Sequence, residues 1–149
     1  MQRIITILAT FFYSGLLPKM PGTWGSLAAL PFAWFLWLLP PAYAWSIFFL
    51  STIIGIWAAH QYVLKTKTDD NQQIVVDEAL GIFLTASIAH HTWIHYLAVF
   101  LFFRLFDIWK PWPVNWCDEK IKGGLGVVLD DIAAAGWALL CMYVLGKFL

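Results

Sequence analysis

Charged side chains are missing from three long stretches of the chain. No Lys, Arg, Asp or Glu lies between Lys19 and Lys65, none lies between Glu78 and Arg104, and only Lys147 follows Asp131. A helix needs about 20 mostly apolar residues to cross a bilayer, so the first stretch has room for two. Consecutive prolines cannot continue a helix, and Pro40-Pro41 therefore divides it into predicted helices from Trp24 to Leu39 and from Ala42 to Val63, joined by a tight turn. In the second stretch His90-His91-Thr92-Trp93 is the least apolar segment, which predicts two shorter helices rather than one span. Asp77-Glu78 opens the first of them, where carboxylates meet the positive end of the helix dipole. The second runs from Trp93 toward Asp107 and is stopped by Lys110-Pro-Trp-Pro. A last helix extends from near Val127 to Gly146-Lys147. Ile4 to Phe12 lacks the small-residue cleavage site of a signal peptide and reads as a short membrane-associated helix.

Composition turns these apolar stretches into a membrane assignment. Apolar residues make up 61% of the 149 and charged residues 12%, against roughly half and a quarter in ordinary globular chains. Too few polar residues remain to cover a water-facing surface. Nine basic residues balance nine acidic ones, which removes the case for nucleic-acid binding through a basic face, and the high hydrophobicity excludes disorder. No repeat or linker divides the chain, so residues 1–149 read as one domain. If the helices pair as two successive hairpins, Arg3, Lys19, Lys65, Lys67, Arg104, Lys110, Lys120 and Lys122 share one side with all nine acidic residues, and Lys147 alone lies opposite. The positive-inside rule makes that side cytoplasmic. A single span over residues 79–103 would instead part the acidic clusters across the bilayer. The expected fold is all-α, a small polytopic membrane helical bundle built of helical hairpins, with an active site at its cytoplasmic face.

The acidic residues fall at Asp69-Asp70, Asp77-Glu78, Asp107, Asp118-Glu119 and Asp130-Asp131. Carboxylates gathered on one face repel one another, and a hard divalent cation is the simplest remedy; oxygen-only ligands point to magnesium or manganese rather than zinc. Solvated loop charges are the alternative. Gly123-Gly124-Leu125-Gly126, preceded by Lys122, offers backbone N–H groups and a helix start to a phosphate. Asp130-Asp131 follows within the same helix, and metal ligands beside an anion cradle suit phosphoryl chemistry. In Pro21-Gly22-Thr23-Trp24-Gly25-Ser26, Thr23 and Ser26 are expected to cap the next helix, with a second role as donors to a phosphate. Other constellations fail. His91 and His95 have metal-pair spacing but lie in the expected periplasmic turn, and His60 is a lone histidine. Cys117 lacks the arginine of a cysteine-phosphatase loop, since Gly123 stands there, and it forms no disulfide framework with Cys141. Interfacial anchoring accounts for most of the ten tryptophans, with Trp109, Trp112 and Trp116 at headgroup level beside the site.

Four segments together resemble the signatures of bacterial phosphatidylglycerophosphatase A. They are Pro21-Gly-Thr-Trp-Gly-Ser, Ile74-Val-Val-Asp-Glu-Ala-Leu-Gly81, Phe103-Arg-Leu-Phe-Asp-Ile-Trp-Lys-Pro-Trp-Pro113 and Gly123-Gly-Leu-Gly-Val-Val-Leu-Asp-Asp-Ile-Ala-Ala-Ala-Gly136. The resemblance covers nearly the whole chain, in order. It implies a magnesium-dependent lipid phosphatase of the bacterial cytoplasmic membrane, which removes the terminal phosphate of phosphatidylglycerophosphate to give phosphatidylglycerol. Carried over by position, the family's acidic motif falls on Asp77 and Glu78. Its central motif falls on Arg104, Asp107 and Lys110, and its glycine-rich acidic motif on Gly123, Gly124, Gly126, Asp130 and Asp131. Asp70 matches an upstream acid that a histidine follows in many relatives, whereas this chain has Asn71.

The expected site is therefore Asp77, Glu78, Asp130 and Asp131 as ligands of one or two Mg2+ ions, with Asp107 in support. Arg104, Lys110 and Lys122 neutralise phosphate charge, the glycine turn orients the phosphate, and Thr23 and Ser26 are added as donors. The competing readings are a phosphatase for phosphatidic or lysophosphatidic acid, and a non-enzymatic cation-binding membrane protein such as a transporter. The transporter reading is disfavoured because such proteins place ionisable residues near the midplane, where the long gaps hold none. The sequence does not assign an oligomeric state.

Overall fold

The computed structural model describes residues 1–68 and 71–148 and is all-helical over them. The helices are α1 (Gln2–Ala9), α2 (Pro21–Leu36), α3 (Pro41–Thr66), α4 (Val76–Thr85), α5 (Trp93–Trp109), α6 (Val114–Lys120) and α7 (Gly123–Leu145), with single 3-10 turns at Ser14–Leu16 and Ala86–Ile88. The breaks expected at Pro40-Pro41 and at His90-Trp93 both occur. Pro41 takes the first position of α3, where its missing N–H costs nothing. Thr92 caps α5 by accepting from the His95 N–H at 3.4 Å.

Helix ends differ from the sequence reading at Ala9 rather than Phe12 for α1, Leu36 rather than Leu39 for α2 and Thr66 rather than Val63 for α3, and two helix starts and one unforeseen helix bear on the site. Helix α2 begins at Pro21 rather than Trp24, so Thr23 and Ser26 lie within its first turns and neither caps it. Ser26 instead donates to the Gly22 carbonyl at 2.8 Å and is completely buried. Helix α7 begins at Gly123, four residues before Val127, so the glycine segment is the first turn of the helix rather than a loop ahead of it. Helix α6, only seven residues long, had no periodic signal to announce it.

Helix α4 is the centre of the molecule. Val76, Asp77, Ala79, Leu80, Gly81, Ile82, Phe83 and Thr85 are all buried, and the helix packs against α7, α2 and α3. Its core partners include Val99 and Phe103 from α5 and Val128, Ala134, Ala135 and Ala138 from α7, all with no exposed surface. Small residues at these contacts let helix axes approach closely, the usual means of packing where lipid removes the hydrophobic drive between helices.

Two helices, α3 and α7, are long and apolar enough to cross a membrane. Only 28% of the apolar window of α3 and 44% of that of α7 is buried within the protein. Phe49, Leu50 and Ile53 of α3, Leu101 and Leu105 of α5, and Leu140 and Val144 of α7 are exposed, as they would be against lipid. Helices α2, at 16 residues, and α5, at 17, fall short of the ~20 needed for a full crossing. A cavity of 690 Å³ bounded by α1, α2, α3 and α4 is lined almost wholly by apolar side chains, among them Val76, Leu80 and Phe83 of α4. The other face of α4 carries the acids.

Candidate active site

Asp77 and Glu78 stand in the first turn of α4, and Asp130 and Asp131 about two turns into α7. Close packing of these two helices brings carboxylates from distant parts of the chain together. Among the described residues, Asp77, Glu78 and Asp131 form the one group of three whose carboxylate oxygens all lie within 4.8 Å of one another. Asp77 is 8% exposed and Asp131 3%, and Asp77 Oδ1, Glu78 Oε2 and Asp131 Oδ2 are buried with no hydrogen-bond partner. Buried acceptors without a donor are costly, and each member of this cluster carries one. A divalent cation relieves that cost, and an all-oxygen set suits a hard ion.

The group opens into a polar cavity of 660 Å³ lined by Asp77, Glu78, Arg104, Asp107, Lys110 and Lys122, and also by Asp118, Gly123, Gly126, Asp130 and Asp131. Thus most of the side chains expected from sequence line one space. Adjacent positions on a helix point about 100° apart, and the two aspartates of α7 accordingly part company. Asp131 joins Asp77 and Glu78, while Asp130 turns toward Lys110, whose Nζ is 3.4 Å from its Oδ2. Asp130 Oδ1 also accepts from the Asp131 backbone N–H at 3.1 Å. Arg104 and Asp107, one turn apart on α5, form an ion pair. The first turn of α2 closes over this pair, because a Cβ at Gly22 would collide with Glu78 Oε1 and lie 3.1 Å from Arg104 Nη1. A larger residue there would displace the Glu78 carboxylate from its present position.

Thr23, Ser26 and Gly124 do not line the cavity; Pro21 and Gly22 of α2, with Met20 just before it, do so instead. Gly124 packs against the α3 backbone at Ile56 and His60. His60 is exposed, with its ring beside Gly123, and His91 and His95 lie at the far end of α5 from the acids. Asp70 lies outside the described residues. Sequence reasoning passed over Asp118, whose Oδ1 lies 2.9 Å from Lys110 Nζ, because α6 is too short to be foreseen. Its only signal was membership of an acidic doublet.

Burial, followed by the adjacent Glu78 charge, pushes the Asp77 carboxyl well above its ordinary range, and burial raises Glu78 as well. Burial works against the ammonium of Lys110, yet Asp118 and Asp130 together hold it above its ordinary value. The raised carboxyls have a consequence for stability. With divalent ions chelated, the native state keeps protons that the unfolded chain has released, so stability should fall as pH rises from about 4 through the raised values. Magnesium competes with those protons. The rise in Tm on adding magnesium should therefore be larger at about pH 8 than at about pH 5.5, and thermal melts of the detergent-solubilised protein check it. An equal shift at both would mean that the cation does not bind at these carboxylates.

Comparison with known proteins agrees with the motifs. The family described as Phosphatidylglycerophosphatase A matches residues 7–146. A Phosphatidylglycerophosphatase A of Escherichia coli (strain K12) is 39% identical over 142 residues, covering 94% of this chain and 82% of the relative. One of Haemophilus influenzae is 36% identical over 143 residues, covering 95% and 88%. A Bacteroides thetaiotaomicron protein, named provisionally as a phosphatidylinositol-3-phosphatase, is 35% identical over 151 residues, covering 93% and 91%. No solved structure matches the chain.

Proposed function

Because this chain belongs to the phosphatidylglycerophosphatase A family, we propose that it is a magnesium-dependent lipid phosphatase that hydrolyses phosphatidylglycerophosphate to phosphatidylglycerol and phosphate, a step of phospholipid biosynthesis. The observation that carries the reading is the trio of partnerless oxygens on Asp77, Glu78 and Asp131, facing a cavity that Lys110 and Lys122 also line.

Asp77, Glu78 and Asp131 would hold the cation. When bound, it polarises the phosphoryl oxygens and lowers the pKa of water at the site. Lys110 and Lys122 reach the phosphate oxygens from the cavity wall, and Arg104 faces the same space while Asp107 fixes its direction. The α7 start at Gly123 adds the positive end of a helix dipole. Hydrolysis forms a bond from a water oxygen to phosphorus and breaks the phosphorus–oxygen bond to glycerol, whose oxygen leaves with a proton. Asp130, turned toward Lys110, serves that lysine rather than the cation.

The acyl chains stay in the bilayer and only the headgroup enters the cavity. This agrees with a belt of exposed apolar side chains on α3, α5 and α7 and with charges grouped on one predicted side. The site faces the cytoplasm across the inner membrane, and the protein is multi-pass.

Phosphate release from phosphatidylglycerophosphate by the purified protein, with magnesium and with chelator, tests the proposal. Activity that needs the cation is expected. Phosphatidic acid, lysophosphatidic acid and phosphatidylinositol 3-phosphate are the comparison substrates, the last suggested by the name of the third relative. A higher kcat/KM on any of these would replace the proposed substrate, and no release from any would remove the phosphatase reading.

A further inference from the structure

Lys110 ends α5 in the left-handed region, at φ 49°, so its side chain leaves the helix axis and turns toward α6 and α7. There it meets two carboxylates from two different elements, Asp118 Oδ1 at 2.9 Å and Asp130 Oδ2 at 3.4 Å. All three residues line the polar cavity. A lysine side chain has four rotatable bonds and a point charge, so on its own it samples many positions. Two acceptors on separate elements, of which Asp130 is also held by the Asp131 N–H, restrict that freedom and leave the third ammonium proton for a ligand. Asp118 is half-exposed, and its side chain has no partner other than Lys110 among the described residues. Helix α6 is a seven-residue hook that packs on α7, and it carries Asp118 back to a lysine eight positions earlier.

We infer that Asp118 is a positioning residue that, with Asp130, holds the Lys110 ammonium in the cavity so that it is already directed at the phosphoryl group when substrate enters. The inference rests on the phosphatase reading for its substrate, but not for its geometry. Preorganisation of this kind lowers the ordering cost of binding. It also explains why a lysine that neutralises phosphate is ion-paired in the free protein. A phosphate oxygen approaching Lys110 adds a ligand to an ammonium whose direction is already set by two carboxylates.

A double-mutant cycle tests it, read on kcat and KM with phosphatidylglycerophosphate and, separately, on calorimetric binding of inorganic phosphate in the presence of magnesium. Asp118→Asn is expected to lower kcat/KM and phosphate affinity roughly ten-fold, and Lys110→Met to lower both by at least as much. The double variant should be no worse than Lys110→Met, because removing the lysine removes what Asp118 acts upon. Asp118→Glu keeps the charge and should recover most of the loss, which shields the test against an Asn variant that folds poorly. Multiplicative losses in the double variant, or Asp118→Asn equal to the parent protein, would overturn the inference. Phosphate binding distinguishes the two readings. A parent protein that binds phosphate with a non-additive cycle but does not hydrolyse the lipid would refute the proposed activity and uphold the positioning role. Hydrolysis with an additive cycle would do the reverse.

Discussion

Asp131→Asn is expected to lower kcat by roughly three orders of magnitude or more, as loss of a charged ligand from a metal-assisted phosphoryl transfer does, while Asp130→Asn should lower it about ten-fold through Lys110. The two residues are neighbours of identical type, so composition and local sequence treat them alike. The structure does not. Asp131 is nearly fully buried, its Oδ2 has no hydrogen-bond partner, and it offers one carboxylate oxygen to a group with Asp77 and Glu78 whose oxygens lie within 4.8 Å of one another. Asn keeps the shape and removes the charge, so the variant should fold. In chelator it should melt no lower than the parent, because one of three mutually repelling buried carboxylates is gone. Magnesium should no longer raise its Tm. The measurement is kcat at saturating magnesium together with Tm with and without the ion. If Asp130→Asn proved the more severe and also abolished the magnesium shift, the cation would belong with Asp130, and the division of roles between the two aspartates would be reversed.

Which aspartate faces which partner could not be read from the chain, and the reason is geometric. Successive helical positions diverge by about 100°, so the direction of each depends on where α4 lies, and that is set by tertiary packing. The helices themselves were legible wherever a charge-free run met a strong breaker. Pro40-Pro41 separates α2 from α3, and the polar His90-Trp93 segment precedes α5. Boundaries failed where glycine misleads. Gly123 to Gly126 reads as a loop because glycine is a poor helix former, yet here the absence of side chains is what admits the first turn of α7 against α3. Thr23 and Ser26 read as caps for the same reason, since Pro21-Gly22 resembles a turn until Pro21 is seen to begin α2. Helix α6 and the pairing of Asp118 with Lys110 had no sequence signal beyond charge, because seven residues cannot display a helical period.

Gly124→Ala is expected to destabilise the protein by about 3 kcal/mol, near the upper end for forcing a methyl into a close-packed contact, and so to lower Tm by roughly 10 °C. A Cβ at this position would lie 2.7 Å from His60 Cα and nearer still to the His60 nitrogen and the Ile56 carbonyl oxygen. All three are backbone atoms of α3 and cannot rotate aside, so α3 and α7 would have to separate. Gly123 makes the informative contrast. Its φ of +74° costs an alanine roughly 1–2 kcal/mol, but the Cβ would meet only the exposed His60 ring, at 3.3 Å from Nδ1. Gly123 lines the polar cavity and Gly124 does not. Gly124→Ala should therefore lose stability while keeping kcat per folded molecule, and Gly123→Ala should lose less stability but raise KM by crowding the phosphate. Thermal melts and steady-state kinetics on the two variants separate these effects. A Gly124→Ala protein that melted like the parent yet bound substrate poorly would return that glycine to the phosphate cradle suggested by sequence, and would show that α3 and α7 tolerate a wider spacing than their contact implies.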